Sequence, residues 1–328
     1  MESSVGSCQY ARVRGPVNGL VCRPDRLTAG PKRCFVLAHQ ETERMAAGGQ
    51  NRNASPGSRS SLFGLEPLYS TTMSDTLVVN EIYLSLQGES TFAGLPCIFV
   101  RLTACNLRCA YCDTAYAFTE GRKISLSDIR AEVHQLARPF SHHPASGDPP
   151  EPPAPVPLSR PPLVELTGGE PLLQPGSVPL TKSLCDDGFT VLIETSGAHD
   201  IAPLDPRARR IMDLKCPSSG ELARNRWENL RHLRSTDELK FVIGTVEDYE
   251  WSKQKIAEHD LAKVCPLLFS WAAPLTSEQQ DKSLKEVPAG QLPLTRRELA
   301  ERILADALPV RFQLQMHKVI WAPDARGV

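Results

Sequence analysis

The spacing of apolar positions changes repeatedly between Val78 and the end of the chain. Short apolar runs rich in β-branched and aromatic residues predict strands, whereas segments with apolar residues three or four positions apart predict helices. The predicted strands are residues 78–84, 97–102, 163–167, 190–195, 210–215, 239–244, 266–271 and 311–320. The predicted helices are residues 125–138, 221–234, 246–261 and 295–308, the first with a Ser or Asp cap.

The order of these elements indicates the class of fold. Strands that alternate with helices are typical of parallel sheets, in which a helix provides each crossover connection. The alternation therefore predicts an α/β fold, built as a sheet or an open barrel. A chain of 328 residues is long enough to bury such a core.

Two segments depart from this pattern. Residues 1–72 show no sustained period and include small, polar, glycine-rich runs, which cannot repay the entropy of ordering. We expect a disordered extension, or one that lies upstream of the true start at Met73; a cleaved transit peptide is the lesser alternative. Ten of the 24 residues at 139–162 are proline, which predicts an exposed polyproline-like insert in a domain spanning residues 73–328.

Composition narrows the class of protein. The chain has 37 basic and 38 acidic residues, so nothing in its charge predicts nucleic-acid binding. No apolar run is long enough to cross a bilayer, and we expect no membrane partner. The chain has ten cysteines with no regular framework but a local cluster, a pattern typical of cytoplasmic metal chemistry rather than of a disulfide scaffold.

The cluster consists of Cys105, Cys109 and Cys112 in the stretch LTACNLRCAYCDTAYAF. Soft thiolates favour iron–sulfur clusters, Cu(I) or zinc. The nearest further ligands, Cys97 and His134, are poor candidates. Three thiolates leave one iron of a [4Fe–4S] cluster open to another ligand. On spacing alone, a structural zinc site completed by a remote Cys or His stays open.

A resemblance to a known superfamily adds to this interpretation. CNLRCAYC has the C-x₃-C-x₂-C pattern, with Tyr111 before the last cysteine, and TGGEP begins at Thr167 after an apolar strand. Both resemble the radical S-adenosylmethionine (SAM) superfamily. The resemblance implies a partial open (β/α) barrel with its site at the carboxyl ends of the strands. It also implies a cluster that reduces bound SAM to methionine and a 5′-deoxyadenosyl radical.

The flanking sequence resembles one family within it. The segment from NEIYLSLQGES to CDTAYAF is similar to the N-terminal region of 7-carboxy-7-deazaguanine synthases, and VELTGGEPLLQ, MDLKCPSSGE and QLQMHKVIW continue the similarity over residues 77–323. The resemblance implies a radical SAM lyase. It would abstract hydrogen from C6 of 6-carboxy-5,6,7,8-tetrahydropterin, contract the ring and release ammonia to form 7-carboxy-7-deazaguanine for queuosine and other 7-deazapurines.

The same resemblance implies roles for individual residues. The pterin-binding set is Leu86, Gln87, Gly88, Glu89, Arg101, Thr167 and His317. The SAM-binding set is Tyr111, Cys112, Asp113, Gly169, Glu194, Ser196, Asp213, Leu214, Lys215 and Ser270. Thr114 is expected to ligate Mg²⁺, since that hard cation prefers oxygen ligands. Arg101 would hold the substrate carboxylate, and Glu170 would either enter the site or brace its loop.

The sequence departs from the family pattern at three places. Ser90 replaces a glycine, and Trp271 follows Ser270 where a proline is common. DARGV continues beyond Pro323, so the terminal carboxylate that some relatives offer to the substrate is not carried over.

The resemblance also implies partners. A flavodoxin or ferredoxin would donate electrons, and the chain would form a homodimer. A glycyl-radical-enzyme activase shares the cysteine spacing, but LQGE and HKVIW argue against it. A non-enzymatic zinc or redox-binding module is the alternative from a different class.

Overall fold

The computed structural model describes residues 75–140 and 162–328, and these residues contain a sheet of nine strands in the order β3-β1-β2-β4-β5-β6-β7-β8-β9. The strands are β1 (Thr76–Leu86), β2 (Pro96–Leu102), β3 (Arg122–Ser125), β4 (Leu163–Gly168), β5 (Val191–Thr195), β6 (Arg209–Asp213), β7 (Glu238–Ile243), β8 (Leu267–Trp271) and β9 (Arg311–Gln313). The helices are α1 (Leu126–Ala137), α2 (Ser177–Asp186), α3 (Val246–Glu258), α4 (Arg296–Ala305) and the short α5 (His317–Ile320).

Every neighbouring pair from β2 to β9 is parallel, whereas β1 runs antiparallel to both β2 and β3. The sheet does not close on itself, because β3 and β9 lie at its two ends. The predicted α/β fold with a partial open barrel is confirmed. Since parallel strands end at a common edge, the loops that follow β2 to β8 meet there.

The two faces of the strands differ in chemistry. A strand points successive side chains to opposite faces. On β7, Leu239, Phe241 and Ile243 join the main hydrophobic core, whereas Glu238 and Lys240 do not. The face away from the main core begins with a small apolar cluster of Cys97, Leu163, Leu192 and Ile211. Polar residues follow along the same strands towards their carboxyl ends: Glu165 and Thr167 on β4, Glu194 on β5 and Asp213 on β6.

Two elements were predicted wrongly. The strand predicted at 311–320 ends at Gln313, and His317 begins α5 instead of ending a strand. The helix predicted at 221–234 is two 3₁₀ segments, Leu222–Arg224 and Trp227–His232. Asparagines explain the interruption: Asn225 pairs with the backbone of Lys215 at 2.7 and 2.9 Å, and Asn229 donates to Gly197 and His199 carbonyls.

The spacing of apolar positions did not predict α2 or β3. β3 is short and polar, and α2 contains Pro179 in its first turn, so neither has a strong periodic signal. The other predicted helices and strands are present with small shifts of their ends. The predicted extension 1–72 and most of the insert 139–162 lie outside the described residues. No helix in the described ranges is long and apolar enough to span a membrane.

Two capping boxes provide a test of how α3 is anchored. Asp248 of α3 is fully buried and accepts hydrogen bonds from the backbone of Ser218, Gly244 and Thr245 at 2.7–3.0 Å. Glu298 is the equivalent residue of α4 but is exposed. Asp248→Ala leaves two buried N–H groups and one half-buried N–H group without their acceptor, and should cost roughly 3 kcal/mol of unfolding free energy. Glu298→Ala should cost about 1 kcal/mol. Equal losses in urea denaturation would contradict this assignment.

Candidate active site

A cavity of about 650 Å³ lies at the carboxyl ends of the parallel strands. Its walls are formed by the cysteine loop that follows β2, by the carboxyl ends of β4 to β8 and by the C-terminal segment. It is lined by every predicted site residue except Leu214. The Leu214 side chain lies in the hydrophobic core, and its backbone N–H donates to the Lys240 carbonyl at 2.9 Å.

The cysteine loop places three thiols along this cavity. Cys105, Cys109 and Cys112 are all buried or half-buried, and burial raises the pKa of each thiol, that of Cys112 to about 12. Across residues 75–140 and 162–328, no three His, Cys, Asp or Glu side chains converge as ligands of one metal ion would. Three soft sulfur donors from one loop, lining one cavity, match the donor set of an iron–sulfur cluster with one open position.

Two glycines hold this loop against β4. Gly168 has φ +127°, and a Cβ built there would lie 2.2 Å from the carbonyl oxygen of Leu102. A Cβ at Gly169 would lie 2.0 Å from the carbonyl oxygen of Ala104. The space instead admits two backbone hydrogen bonds, from Gly169 N–H to Leu102 (3.0 Å) and from Glu170 N–H to Ala104 (2.8 Å). The glycines of TGGEP therefore allow direct backbone contact with the cysteine loop.

Glu170 braces its loop. The residue is fully buried, and its side chain is absent from the cavity wall. Its carboxylate accepts hydrogen bonds from Leu172 N–H, from the Thr195 hydroxyl and from both the N–H and the hydroxyl of Ser196. Glu170 thereby positions the loop after β5, where Ser196 lines the cavity.

A second buried carboxylate, that of Glu165, helps to fix the conformation of the LQGE segment. The side-chain amide of Gln87 donates to Glu165 at 3.1 Å, and its oxygen accepts the backbone N–H groups of Glu89 and Ser90 at 2.9 and 3.0 Å. Burial, the main cause, raises the pKa of Glu165 well above its ordinary value, with the Glu194 charge adding to the effect. Glu165 lines the cavity but was not predicted from the sequence.

Arg101 lies against β1 with part of its guanidinium engaged. Its Nε donates to Glu81 and its Nη2 to the Tyr83 hydroxyl, both at 2.7 Å. Tyr116 donates to the same Glu81 at 2.9 Å. Among the described residues, Nη1 of Arg101 makes no hydrogen bond, although the side chain lines the cavity. The predicted arginine is thus oriented by protein groups while retaining donors for a ligand.

The C-terminal segment is tied to the cysteine loop through Asp113. Lys318 forms an ion pair with Asp113 at 2.5 Å, and Gln315 donates to Asp113 at 2.8 Å and to Glu89 at 3.1 Å. His317 lies 3.9 Å from Glu89 and lines the cavity, although it begins α5 rather than ending a strand. The sequence predicted His317 and Asp113 but not Gln315 or Lys318.

Thr114 follows the last cysteine of the loop. Its hydroxyl lies 3.8 Å from the Cys112 sulfur, and its carbonyl accepts the Ala117 N–H at 3.0 Å. Thr114 lines the cavity, and its hydroxyl has no strong hydrogen bond to the described residues. At the opposite wall, Thr167 donates to Glu194 at 3.1 Å, and Lys215 pairs with Asp213 at 2.6 Å.

Lys240 is the most prominent site residue that the sequence reasoning missed. It lies in the middle of β7, lines the cavity and is only 5% exposed along its side chain. The available signal was a lysine within the apolar run ELKFVI, since charged residues are seldom buried without a partner.

Comparison with known proteins gives one consistent result. No family model matches the chain. It is 43% identical over 252 residues to a 7-carboxy-7-deazaguanine synthase from Koribacter versatilis, covering 76% of this chain and 99% of the relative. It is 39% identical to the protein of the same name from Chlorobaculum tepidum, covering 77% and 97%. The crystal structure of QueE from Escherichia coli shares the fold (TM-score 0.51, 22% identity, 74% and 95% covered).

The glycine contact predicts a specific defect. Gly168→Ala should disrupt the approach of β4 to the cysteine loop, because the new Cβ would meet the Leu102 carbonyl. We expect a loss of more than about 3 kcal/mol and poor iron loading. Gly188→Ala is the matched control: φ is +88° there but nothing lies within 4 Å, so only backbone strain of about 1–2 kcal/mol is expected. Thermal unfolding and iron content compare the two, and equal effects would contradict the contact.

Proposed function

The chain belongs to the 7-carboxy-7-deazaguanine synthase family of radical SAM lyases, and we propose that it converts 6-carboxy-5,6,7,8-tetrahydropterin to 7-carboxy-7-deazaguanine with release of ammonia. This reaction serves queuosine and other 7-deazapurines. The observation that carries the proposal is the shared cavity, in which the three-cysteine loop, the TGGEP turn and the LQGE segment all meet. The chain also spans nearly the whole length of its relatives.

The cofactors are a [4Fe–4S] cluster and SAM. Cys105, Cys109 and Cys112 would hold the cluster, and the open iron position would accept SAM. Once bound and reduced, this pair supplies a carbon radical that can abstract hydrogen. The protein's part is to position both groups and exclude water.

The residues proposed to contact SAM line the cavity, apart from Leu214. Gly169 offers backbone close to the cysteine loop, and Glu194 and Ser196 end the neighbouring strand. The full proposed set is Tyr111, Cys112, Asp113, Gly169, Glu194, Ser196, Asp213, Leu214, Lys215 and Ser270. Leu214 could contribute only through its backbone, because its side chain lies in the core.

Most of the residues proposed for the pterin lie on or just after β1, on β2 or at α5, and Thr167 lies on β4. Arg101 would hold the substrate carboxylate through Nη1, while Glu81 and Tyr83 keep its guanidinium oriented. The amide of Gln87 and the turn at Gly88 and Glu89 would meet the polar edge of the pterin. The full proposed set is Leu86, Gln87, Gly88, Glu89, Arg101, Thr167 and His317.

Several finer points remain part of the proposal. Thr114 would give its hydroxyl to a Mg²⁺ that also touches the substrate. A flavodoxin or ferredoxin would supply the electron, and the working protein would be a cytoplasmic homodimer. The domain would begin near Met73, with residues 1–72 as an extension.

The proposal predicts a product and a cysteine dependence. Anaerobically reconstituted protein with SAM, a reductant, Mg²⁺ and the carboxylated tetrahydropterin should yield 7-carboxy-7-deazaguanine, detected by mass spectrometry. Cys109→Ala should abolish turnover and most of the iron, because it removes one of three ligands. Cys185→Ala, another buried cysteine but outside the cavity wall, should keep both. Turnover in Cys109→Ala, or none in the intact protein, would contradict the proposal.

The magnesium role predicts a separate effect. Thr114→Val keeps the side-chain shape but removes the hydroxyl, so the concentration of Mg²⁺ giving half-maximal activity should rise at least about tenfold. SAM binding should be unchanged. Thr119→Val, at an exposed threonine of the same cavity wall that is not proposed as a ligand, is the control and should keep the normal Mg²⁺ response. An unchanged Mg²⁺ response in Thr114→Val would remove Thr114 from the metal site.

A further inference from the structure

One buried lysine joins three carboxylates that come from distant parts of the chain. The Lys240 ammonium on β7 contacts the Glu194 carboxylate on β5 and lies 3.6 Å from Asp213 on β6. It also lies 3.5 Å from Glu89 in the LQGE segment, 151 positions away in sequence. No other lysine or arginine among the described residues has ion-pair partners on three separate segments of the cavity wall.

The charge of Lys240 is necessary where it lies. Burial opposes that charge, but Asp213, Glu194 and Glu89 outweigh burial and raise the pKa of Lys240 well above the ordinary lysine value. Without the ammonium, Lys215 beside Asp213 would be the one lysine or arginine among the described residues within ion-pair distance of any of the three carboxylates. His317, at 3.9 Å from Glu89, is the nearest other basic side chain. Buried like charges repel strongly in a medium of low polarity.

The three carboxylates belong to two different binding surfaces under the proposed function. Glu194 and Asp213 lie in the set proposed for SAM, whereas Glu89 lies in the set proposed for the pterin. The ammonium has only three N–H donors, and it shares them across both surfaces. A ligand that orders the carboxylates on one side also orders the shared ammonium, and thereby the carboxylate on the other side.

Resting on the proposed function, we propose that Lys240 is a positioning residue that couples the two ligands, so that SAM binding strengthens pterin binding and the reverse. Such coupling is reciprocal by thermodynamic necessity. Lys240 itself need not touch either ligand for this role.

The test measures coupling directly. Anaerobically reconstituted enzyme is titrated with SAM by calorimetry, without reductant, in the presence and in the absence of the carboxylated tetrahydropterin. In the intact enzyme, the pterin should lower the Kd for SAM several-fold. In Lys240→Met, both ligands should bind more weakly and the Kd for SAM should no longer respond to pterin.

Two variants serve as controls. Lys240→Arg keeps a cation within reach of the carboxylates and should restore part of the coupling. Lys253→Met breaks an ion pair with Asp306 on the outer helices at 2.6 Å and should leave the coupling intact. If Lys240→Met fails to fold, the Lys240→Met/Glu194→Gln double variant removes one uncompensated, half-buried charge, and it too should show no coupling.

The possible outcomes separate this inference from the proposed function. Failure of the intact enzyme to bind the pterin would overturn the proposed function, and the coupling with it. Binding of both ligands with full coupling retained in folded Lys240→Met, or in the double variant, would overturn only the role of Lys240. Weaker binding of one ligand alone, with unchanged coupling, would also overturn it.

Discussion

The two-residue period of the parallel strands is the constraint on which the site depends. Because each strand turns alternate side chains inward, one face of β4 to β7 packs against helices while the other faces the cavity. Near the start of the strands the inner face is closed by Cys97, Leu163, Leu192 and Ile211. Towards the carboxyl ends of the strands, the same face carries charged side chains. The sheet therefore gives the cavity an apolar floor and a wall of charged groups in fixed positions.

Charged side chains in the wall of a buried cavity need partners of opposite charge or hydrogen bonds. In this structure, ion pairs and shared hydrogen bonds provide them. Lys240 and Lys215 balance the carboxylates of β5 and β6, while Lys318 balances Asp113 beside the last cysteine. Glu170 is satisfied by four hydrogen bonds to neighbouring loops. These contacts order the loops before any ligand arrives, which lowers the cost of forming a reactive geometry.

Sequence reasoning reached the fold class and most of the cavity wall, because both follow from local signals. Buried parallel strands are continuous apolar runs, and the cysteine and glycine motifs are contiguous. The site residues that the sequence did not predict are those whose partners lie elsewhere in the sequence. Glu165 and Lys240 looked like interruptions of apolar strands; Gln87, the partner of Glu165, lies 78 positions away, and Lys240 has partners 46 and 151 positions away. The helix expected at 221–234 is interrupted by contacts outside its own segment, since Asn225 and Asn229 hydrogen-bond to the loops after β6 and β5, 10 and 32 positions away.

Under the proposed function, three thiolates of one loop hold an iron–sulfur cube whose fourth iron is left for SAM. The most direct measurement is iron and sulfide analysis of anaerobically purified protein, followed by electron paramagnetic resonance of the reduced protein with and without SAM. We expect about four irons and four sulfides per chain, and a spectrum that changes when SAM is added. A colourless protein with one zinc ion per chain, or a cluster spectrum indifferent to SAM, would contradict it.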